Sequence, residues 1–397
     1  MRFINKTPEF RDAVRDVADS QPESPPWLHT QINPVPDIKA TAHEAIDVYL
    51  SNRKPDGTIE GIGWWQCANG FTAIADQDRW LGDEKYYDSL ADSLRRCEQI
   101  NSPHGFVNDF NDDSCWWAIC CVRLYGVKRD RWFLSQARAV WGHVKQYQLA
   151  PQQRFFQGKD MAGAVLWTSK AGEDSINAIS TALFAELGLR LALEHDDPLT
   201  EARIDAARHA LGWILRSRYR SHEGVVLDHI KLDSQQAIDW TFTYNTGVTL
   251  SSLALLYSVT GEVEYLLIAC HMAHKSMTRS QWVEDNGVLT EPDAYGKGQH
   301  DPQQNSDGVG FKAVLMRQLC TLYHVIDKMQ CPPPKARRVA AMIHAFVYIN
   351  FHTQLDKNTD GKGRYGPWWN GPFEYPTVHS QLAVLDVMAA AMLVNFG

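Results

Sequence analysis

Asp112 and Asp113 stand side by side within Asn108-Asp-Phe-Asn-Asp-Asp-Ser-Cys-Trp-Trp117, where a polar loop gives way to an apolar helix running on through Tyr125. Carboxylates at neighbouring positions of a helix start diverge only partly. Both can face one cleft, and their repulsion raises the pKa of one of them. A protonated carboxyl beside an ionised one is what acid chemistry at a glycosidic bond requires, and adjacent positions suit the short carboxyl separation of a retaining mechanism, roughly 5 to 5.5 Å. The structural alternative is a helix cap, since Asp is a favoured N-cap and the positive end of the helix dipole stabilises it. Trp116 and Trp117 follow at once, suited either to stacking on sugar rings or to filling a core.

The elements that must position this pair are helical. Apolar residues recur with helical spacing about twelve times, at 41–53, 65–81, 84–99, 112–126, 130–147, 175–193, 198–218, 240–260, 262–278, 311–328, 333–354 and 377–395. Tight turns such as Leu81-Gly82-Asp83, Tyr125-Gly126-Val127, Asp196-Asp197-Pro198, Thr260-Gly261 and Cys331-Pro332-Pro333 alternate with long loops at 54–64, 100–111, 148–174, 219–239, 279–310 and 355–376. If consecutive helices are antiparallel, every long loop emerges at one end, which becomes the working face. Helix chemistry alternates in the same register. Trp240 to Gly261 carries no charge and Thr377 to Asn395 only Asp386, so both read as buried all round, whereas Glu84 to Ile100 and Leu199 to Ser221 have an apolar stripe and a charged face. Six hairpins of a charged outer helix and an apolar inner one describe an all-α (α/α)6 barrel. No fixed sequence period supports the competing superhelical array. The expected organisation is one catalytic domain over 1–397, with 1–40 as an N-terminal extension packing on it.

Inner helices begin at the long-loop face, so the architecture itself sets Asp112 and Asp113 at the open end of the barrel. The other inner starts are rich in polar and aromatic groups: Trp64, Trp65 and Gln66; Asn177 and Ser180; Trp240, Thr243, Tyr244 and Asn245; Asp307, Phe311 and Lys312; His379 and Gln381. Converging on one pit, such groups would offer hydroxyl-binding donors and stacking faces together.

Composition narrows the partners. The chain has 397 residues, 44% of them hydrophobic, and a formal net charge of −8, with no basic block and no glycine-rich phosphate loop. Nucleic acid and nucleotides are therefore excluded in favour of a neutral or weakly charged ligand. The 14 Trp, 14 Tyr and 15 Phe are a heavy aromatic load of the kind carbohydrate-active proteins carry. Eight cysteines include no Cys-x-x-Cys pair, and Cys67, Cys97, Cys115, Cys120, Cys121, Cys270 and Cys320 fall in expected helices, which reads as buried free thiols. The amino terminus turns polar too soon for a secretory signal, and no apolar run approaches the roughly 18 residues of a membrane span, which predicts a soluble chain, intracellular or secreted with its signal removed. Asn5-Lys6-Thr7 is the sole glycosylation sequon, a mild argument against passage through a glycosylating pathway. Asp356-Lys-Asn-Thr-Asp360-Gly361 opens like a calcium loop, but its twelfth position is Pro367, so an Asx-rich turn is expected instead. The fifteen histidines show no His-Glu-x-x-His spacing and there is no Gly-x-Ser-x-Gly, so neither a metal, a cofactor nor a serine nucleophile is expected.

The string around the acid pair resembles the Asp-Asp signature of the endo-α-1,6-mannanases of glycoside hydrolase family 76, with Asp112, Asp113, Trp116, Trp117 and Ala118 matching position by position. Further blocks are similar in the right order along nearly the whole chain: Gly163-Ala-Val-Leu-Trp167, Asn177-Ala-Ile-Ser180, Trp240-Thr-Phe-Thr-Tyr-Asn245-Thr-Gly247, Gly287-Val-Leu-Thr-Glu-Pro292, Asp307-Gly308 with Phe311-Lys312, and Trp369-Asn-Gly-Pro372. Two blocks depart from the family pattern, at Thr246 and at Ala164, which touches subsite detail rather than chemistry. The resemblance implies a retaining hydrolase of α-1,6-linked mannose, with Asp112 the nucleophile and Asp113 the acid/base. It implies α-mannan or mannooligosaccharides as substrate, and the resembling blocks together with the inner-helix starts give Trp64, Trp65, Asn177, Trp240, Tyr244, Asp307, Lys312, Trp369 and Asn370 as the expected sugar-binding set. The alternatives are a transglycosylase using the same intermediate on cell-wall glycans, a non-catalytic glycan-binding protein, and a sugar epimerase on the same barrel, which would favour histidine bases in the pit.

Overall fold

The computed structural model describes residues 24–30, 37–194, 197–291 and 306–397. The extension expected over 1–40 falls mostly outside the described residues, as do the sequon at Asn5, Asp196 and Pro292. Within its described residues, the 3-10 turn Pro26–His29 lays Trp27 against Phe346 with ring centroids 5.5 Å apart, and residues from Ile38 on already belong to the first barrel helix.

Twelve α-helices are described: α1 Ile38–Leu50, α2 Trp64–Leu81, α3 Tyr87–Ile100, α4 Asn111–Lys128, α5 Arg131–Val144, α6 Ala178–Ala192, α7 Thr200–Ser217, α8 Thr243–Thr260, α9 Val263–Thr278, α10 Ser306–Asp327, α11 Pro334–Lys357 and α12 Val378–Phe396. The even-numbered helices form a closed ring, each packing on the next, with α12 returning to α2; the odd-numbered helices pack around them. The chain is an (α/α)6 barrel. Burial follows the charge pattern: α6, α8 and α12 are apolar on nearly every face and almost wholly covered, while α3 and α5 keep a polar side in water. The 19-residue α12 corrects one sequence reading. It is long and apolar enough to cross a membrane, yet as an inner stave of the ring 83% of its apolar stretch is covered by protein.

Short strands in the long loops complete the working face: β1 Phe155–Phe156 with β2 Lys159–Asp160, β4 Tyr219–Arg220 with β5 Val225–Val226, and a three-stranded antiparallel sheet in the order β3 Ser175–Asn177, β6 His229–Lys231, β7 Gln236–Ile238. Because β3 takes residues 175–177, α6 starts later than its periodicity suggests, and Trp240 lies ahead of α8 rather than on it.

A repeated device stitches the outer layer. After α1, α5, α7, α9 and α11 the chain doubles back in a hairpin closed by antiparallel pairing, between Arg53 and Ile59, Gln148 and Val165, β4 and β5, Val283 and Leu289, and Thr359 and Tyr365. Hairpin tips rest on the following outer helix, that of α1 on α3, that of α7 on α9 and that of α11 on α1. Gly57 shows why glycine stands at such a tip. Its φ is 89° and a Cβ there would collide with the carbonyl oxygen of Ser93.

Candidate active site

Helix α4 begins at Asn111 with Phe110 as an extended N-cap that offers no side-chain cap. Its start is strapped to the strand-like segment 165–168: the Asn111 amide donates to Trp167 O (2.8 Å), and the Asn111 side chain donates to Leu166 O (2.8 Å). Asp112 and Asp113 therefore sit in the first turn, past the N-cap position, and both line a pit at the open end of the inner ring.

The two carboxyls have different neighbours. The Trp167 indole donates to Asp112 Oδ2 (3.1 Å), and the Asp113 amide donates to Asp112 Oδ1 (3.1 Å). Asp113 Oδ2 takes one side-chain donor, Asn108 Nδ2 (2.9 Å). Among the described residues no lysine or arginine pairs with either. Burial, and then the adjacent Asp113 charge, pushes Asp112 up; burial, opposed by the Asn108 hydrogen bond and reinforced by Asp307, pushes Asp113 up. Two adjacent acids, both pushed up, are suited to holding one proton between them.

The pit encloses about 1040 Å³, at the upper end of small-molecule sites and so roomy enough for more than one sugar unit. Its floor is aromatic. Phe311 stacks on Tyr244 with centroids 4.1 Å apart and neighbours Trp65 at 6.1 Å, while Phe110 leans on Trp167 at 4.8 Å. Burial, and then the charges of Asp228, Asp112 and Asp307, holds the Tyr244 phenol well above its usual range, so it remains a donor. Asp307, from the start of α10, takes a hydrogen bond from Gln66 Nε2 (2.9 Å).

Of the acid pair and the nine expected sugar-binding residues, Asp112, Asp113, Trp65, Asn177, Trp240, Tyr244 and Asp307 line the pit. The other four do not. Trp64 turns back onto Trp117, centroids 4.5 Å apart. Lys312 is buried behind the pit, donates to Pro367 O (3.0 Å) and sits over the buried Trp369 ring at 5.1 Å; burial pulls its pKa down to about 7. Asn370 ties loops together, donating to Glu284 Oε2 (2.6 Å) and accepting from Asn286 (2.9 Å) and Lys357 (3.0 Å). For the two helix residues the reason is geometric: neighbouring helix positions point about 100° apart, so Trp65 and Phe311 face the pit while Trp64 and Lys312 face away. At Asp360, the carboxyl accepts the backbone amides of Lys362 (2.8 Å) and Arg364 (3.2 Å), closing an Asx turn.

The structure adds residues that the sequence reading passed over: Phe242, and above all the pair Asp228-His229. His229 Nδ1 lies 2.8 Å from Asp228 Oδ2, and Asn245 Nδ2 donates to Asp228 Oδ1 (3.0 Å). The available signal was an Asp-His dipeptide in a long loop of the working face, which inspection of helix starts alone does not reach.

This geometry can be set beside known proteins. Residues 37–396 match the family described as Glycosyl hydrolase family 76. The chain belongs to glycosyl hydrolase family 76. Among relatives, mannan endo-1,6-alpha-mannosidase DCW1 of Saccharomyces cerevisiae is 20% identical over 365 residues, which span 87% of this chain and 76% of the yeast protein. Among solved structures, the GH76A alpha-1,6-mannanase of Salegentibacter sp. HEL1_6 superposes with a TM-score of 0.75 at 25% identity, covering 90% of this chain and all of that one. The same mannanase was also solved, as an inactive variant with two successive aspartates changed to asparagine, in complex with alpha-1,6-mannotriose. Dfg5 of Chaetomium thermophilum, solved with glucosamine, gives a TM-score of 0.72 at 17% identity, over 92% of each chain. The family 76 toroid is thus the fold of this chain.

Proposed function

We propose that the chain hydrolyses α-1,6-linked mannose in mannan or mannooligosaccharides by a retaining double displacement at Asp112 and Asp113. The observation that carries this reading is the pair of uncompensated acids in the aromatic pit of a family 76 barrel. The sequence holds two adjacent-aspartate pairs, and the other serves structure: Asp197 is buried against Arg203 (2.9 Å) and Arg138 (3.4 Å). The inactive mannanase variant, altered at two successive aspartates, supports the same assignment by analogy.

In this mechanism ionised Asp112 attacks the anomeric carbon while Asp113 gives its proton to the departing oxygen. Water, deprotonated by Asp113, then releases the sugar from Asp112. Burial pushes both carboxyls up as a coupled pair, and Asp112, with two hydrogen-bond donors against one on Asp113, is the better placed to carry the negative charge as positive charge develops at the anomeric carbon. Aromatic surface on both sides of the pair suits a sugar acceptor as well as water, so transglycosylation onto a glycan is the second reading. Incubation with defined α-1,6-mannooligosaccharides tests both: shorter oligosaccharides alone support hydrolysis, products longer than the substrate support transfer, and no turnover refutes the proposal.

A further inference from the structure

We infer that Glu291 and Lys312 are positioning residues, a buried acid and base that clamp the aromatic floor of the pit from behind and hold the Tyr244 phenol beside Asp112. The inference rests on the reading of Asp112 as nucleophile and goes beyond it by giving a role to two charged side chains that do not line the pit.

The floor stack has a rear side. Tyr244 and Phe311, whose ring centroids lie 4.1 Å apart at an interplanar angle of 13°, line the pit, and each has a buried polar neighbour in sequence, Thr243 at the start of α8 and Lys312 on α10. Helix α8 takes Phe242 as its N-cap, which offers no side-chain acceptor. Glu291, following the hairpin after α9, provides one: its two oxygens stand 3.3 Å from the Thr243 amide, and one of them accepts the Thr243 hydroxyl. The positive end of the α8 dipole favours a carboxylate there. Lys312 supplies the opposite charge. Its ammonium donates to Pro367 O (3.0 Å) and lies over the Trp369 ring, and while burial pulls its pKa down, the Glu291 charge works the other way.

Two apolar side chains of similar volume would hold α8 against α10 without the desolvation cost of two buried charges. What the charged pair adds is direction. The amide and hydroxyl of Thr243 meet Glu291 together only in one setting of the first turn, and with successive helix positions about 100° apart that setting fixes where Tyr244 points. Its aim matters because it is the one phenol among the described residues lining the pit, and burial, then the charges of Asp228, Asp112 and Asp307, keep it protonated. A neutral donor beside Asp112 steadies a carboxylate that must be ionised before attack and is released again when the ester breaks. Displacing that donor costs the transition state more than the bound substrate, so the loss falls on kcat.

The test is a double-mutant cycle on kcat with α-1,6-mannooligosaccharides, Glu291→Gln being made in the unaltered chain and again in Tyr244→Phe, with the folded fraction checked by circular dichroism. In the unaltered chain Glu291→Gln should lower kcat roughly tenfold to a hundredfold with KM little changed, and in Tyr244→Phe by less than about threefold, since the donor it positions is already gone. Lys312→Met, at the other end of the clamp, should lower kcat in the same sense and lose its effect in Tyr244→Phe. Thr243→Val, which leaves both charges in place and removes only the hydroxyl, should show the same coupling at smaller size and decides the matter if the charge variants do not fold. Equal losses in both backgrounds, or a lower melting temperature with kcat intact, overturn the inference and leave the proposed function standing. Absence of turnover by the unaltered protein overturns both.

Discussion

Asp112 and Asp386 are carboxylates on parallel staves of one ring, and the second lies roughly 10 Å deeper at 1.5 Å of rise per residue. Their surroundings are opposite. Asp386 faces Arg317 in a bidentate pair, Nε at 2.7 Å and Nη2 at 2.8 Å, and nearby Asp76 pairs with Arg123 (3.2 Å) while Glu186 takes Arg190 (2.8 Å) and Gln318 (2.9 Å). At the open end Asp112 and Asp113 have only neutral donors, each other, and a third acid across the pit. A barrel that can neutralise acids with arginines at depth leaves them uncompensated at its mouth. Compensation holds the staves together, and its absence leaves a carboxyl able to hold and release a proton.

The contrast breaks most visibly by mutation of each partner. Asp112→Asn should lower turnover on α-1,6-mannooligosaccharides by roughly four powers of ten, about 5 kcal/mol of barrier, with the circular dichroism spectrum intact. Asp386→Ala should do the reverse, costing about 3–5 kcal/mol in denaturant unfolding because Arg317 is left buried without its counter-charge, while the folded fraction keeps its specific activity. Equal loss of stability in both variants would erase the distinction between the two ends.

The next effect separates the two pit acids. Asp113→Ala should lose roughly 10²- to 10⁴-fold on natural glycans and far less on an aryl α-mannoside with a good leaving group, since the first step then needs little proton donation. Equal losses on both substrates would move the acid role elsewhere.

The smallest effect concerns pH and stability. A carboxyl whose folded pKa is raised binds more protons folded than unfolded, so its contribution to stability falls as pH rises from the ordinary carboxylate value, about 4, through the raised one. Asp112 and Asp113 are both raised, by burial first. Asp112→Asn should therefore melt about 1–3 °C above the unaltered protein above that window, and no higher than it at pH 4. A variant less stable than the unaltered protein at every pH would mean that Asp112 contributes to the fold as Asp386 does.

Much of the barrel was legible because two independent patterns agree, the alternation of long and short connections and the alternation of charged and apolar helices. The acid pair was legible because the architecture sets inner-helix starts at the open end. What escaped is of two kinds. The sheet beside the pit pairs residues 175–177 with 229–231, and the register of two short strands separated by a helical hairpin leaves no periodic trace; Asp228-His229 was lost with it. Facing direction also escaped, for Trp116 lines the pit while Trp117, one position on, is fully buried against Phe106. The hairpins behind the outer helices recur in geometry but not at a fixed sequence interval, which is why no repeat was seen.

The claim that Asp112 and Asp113 act as nucleophile and acid/base is tested most directly by the stereochemistry of the first product. Two displacements at one carbon invert it twice, so proton NMR of α-1,6-mannan hydrolysis, read before mutarotation, should show the α anomer first. An initial β anomer would mean a single displacement by water, remove Asp112 as nucleophile, and turn attention to Asp307 as the base across the pit.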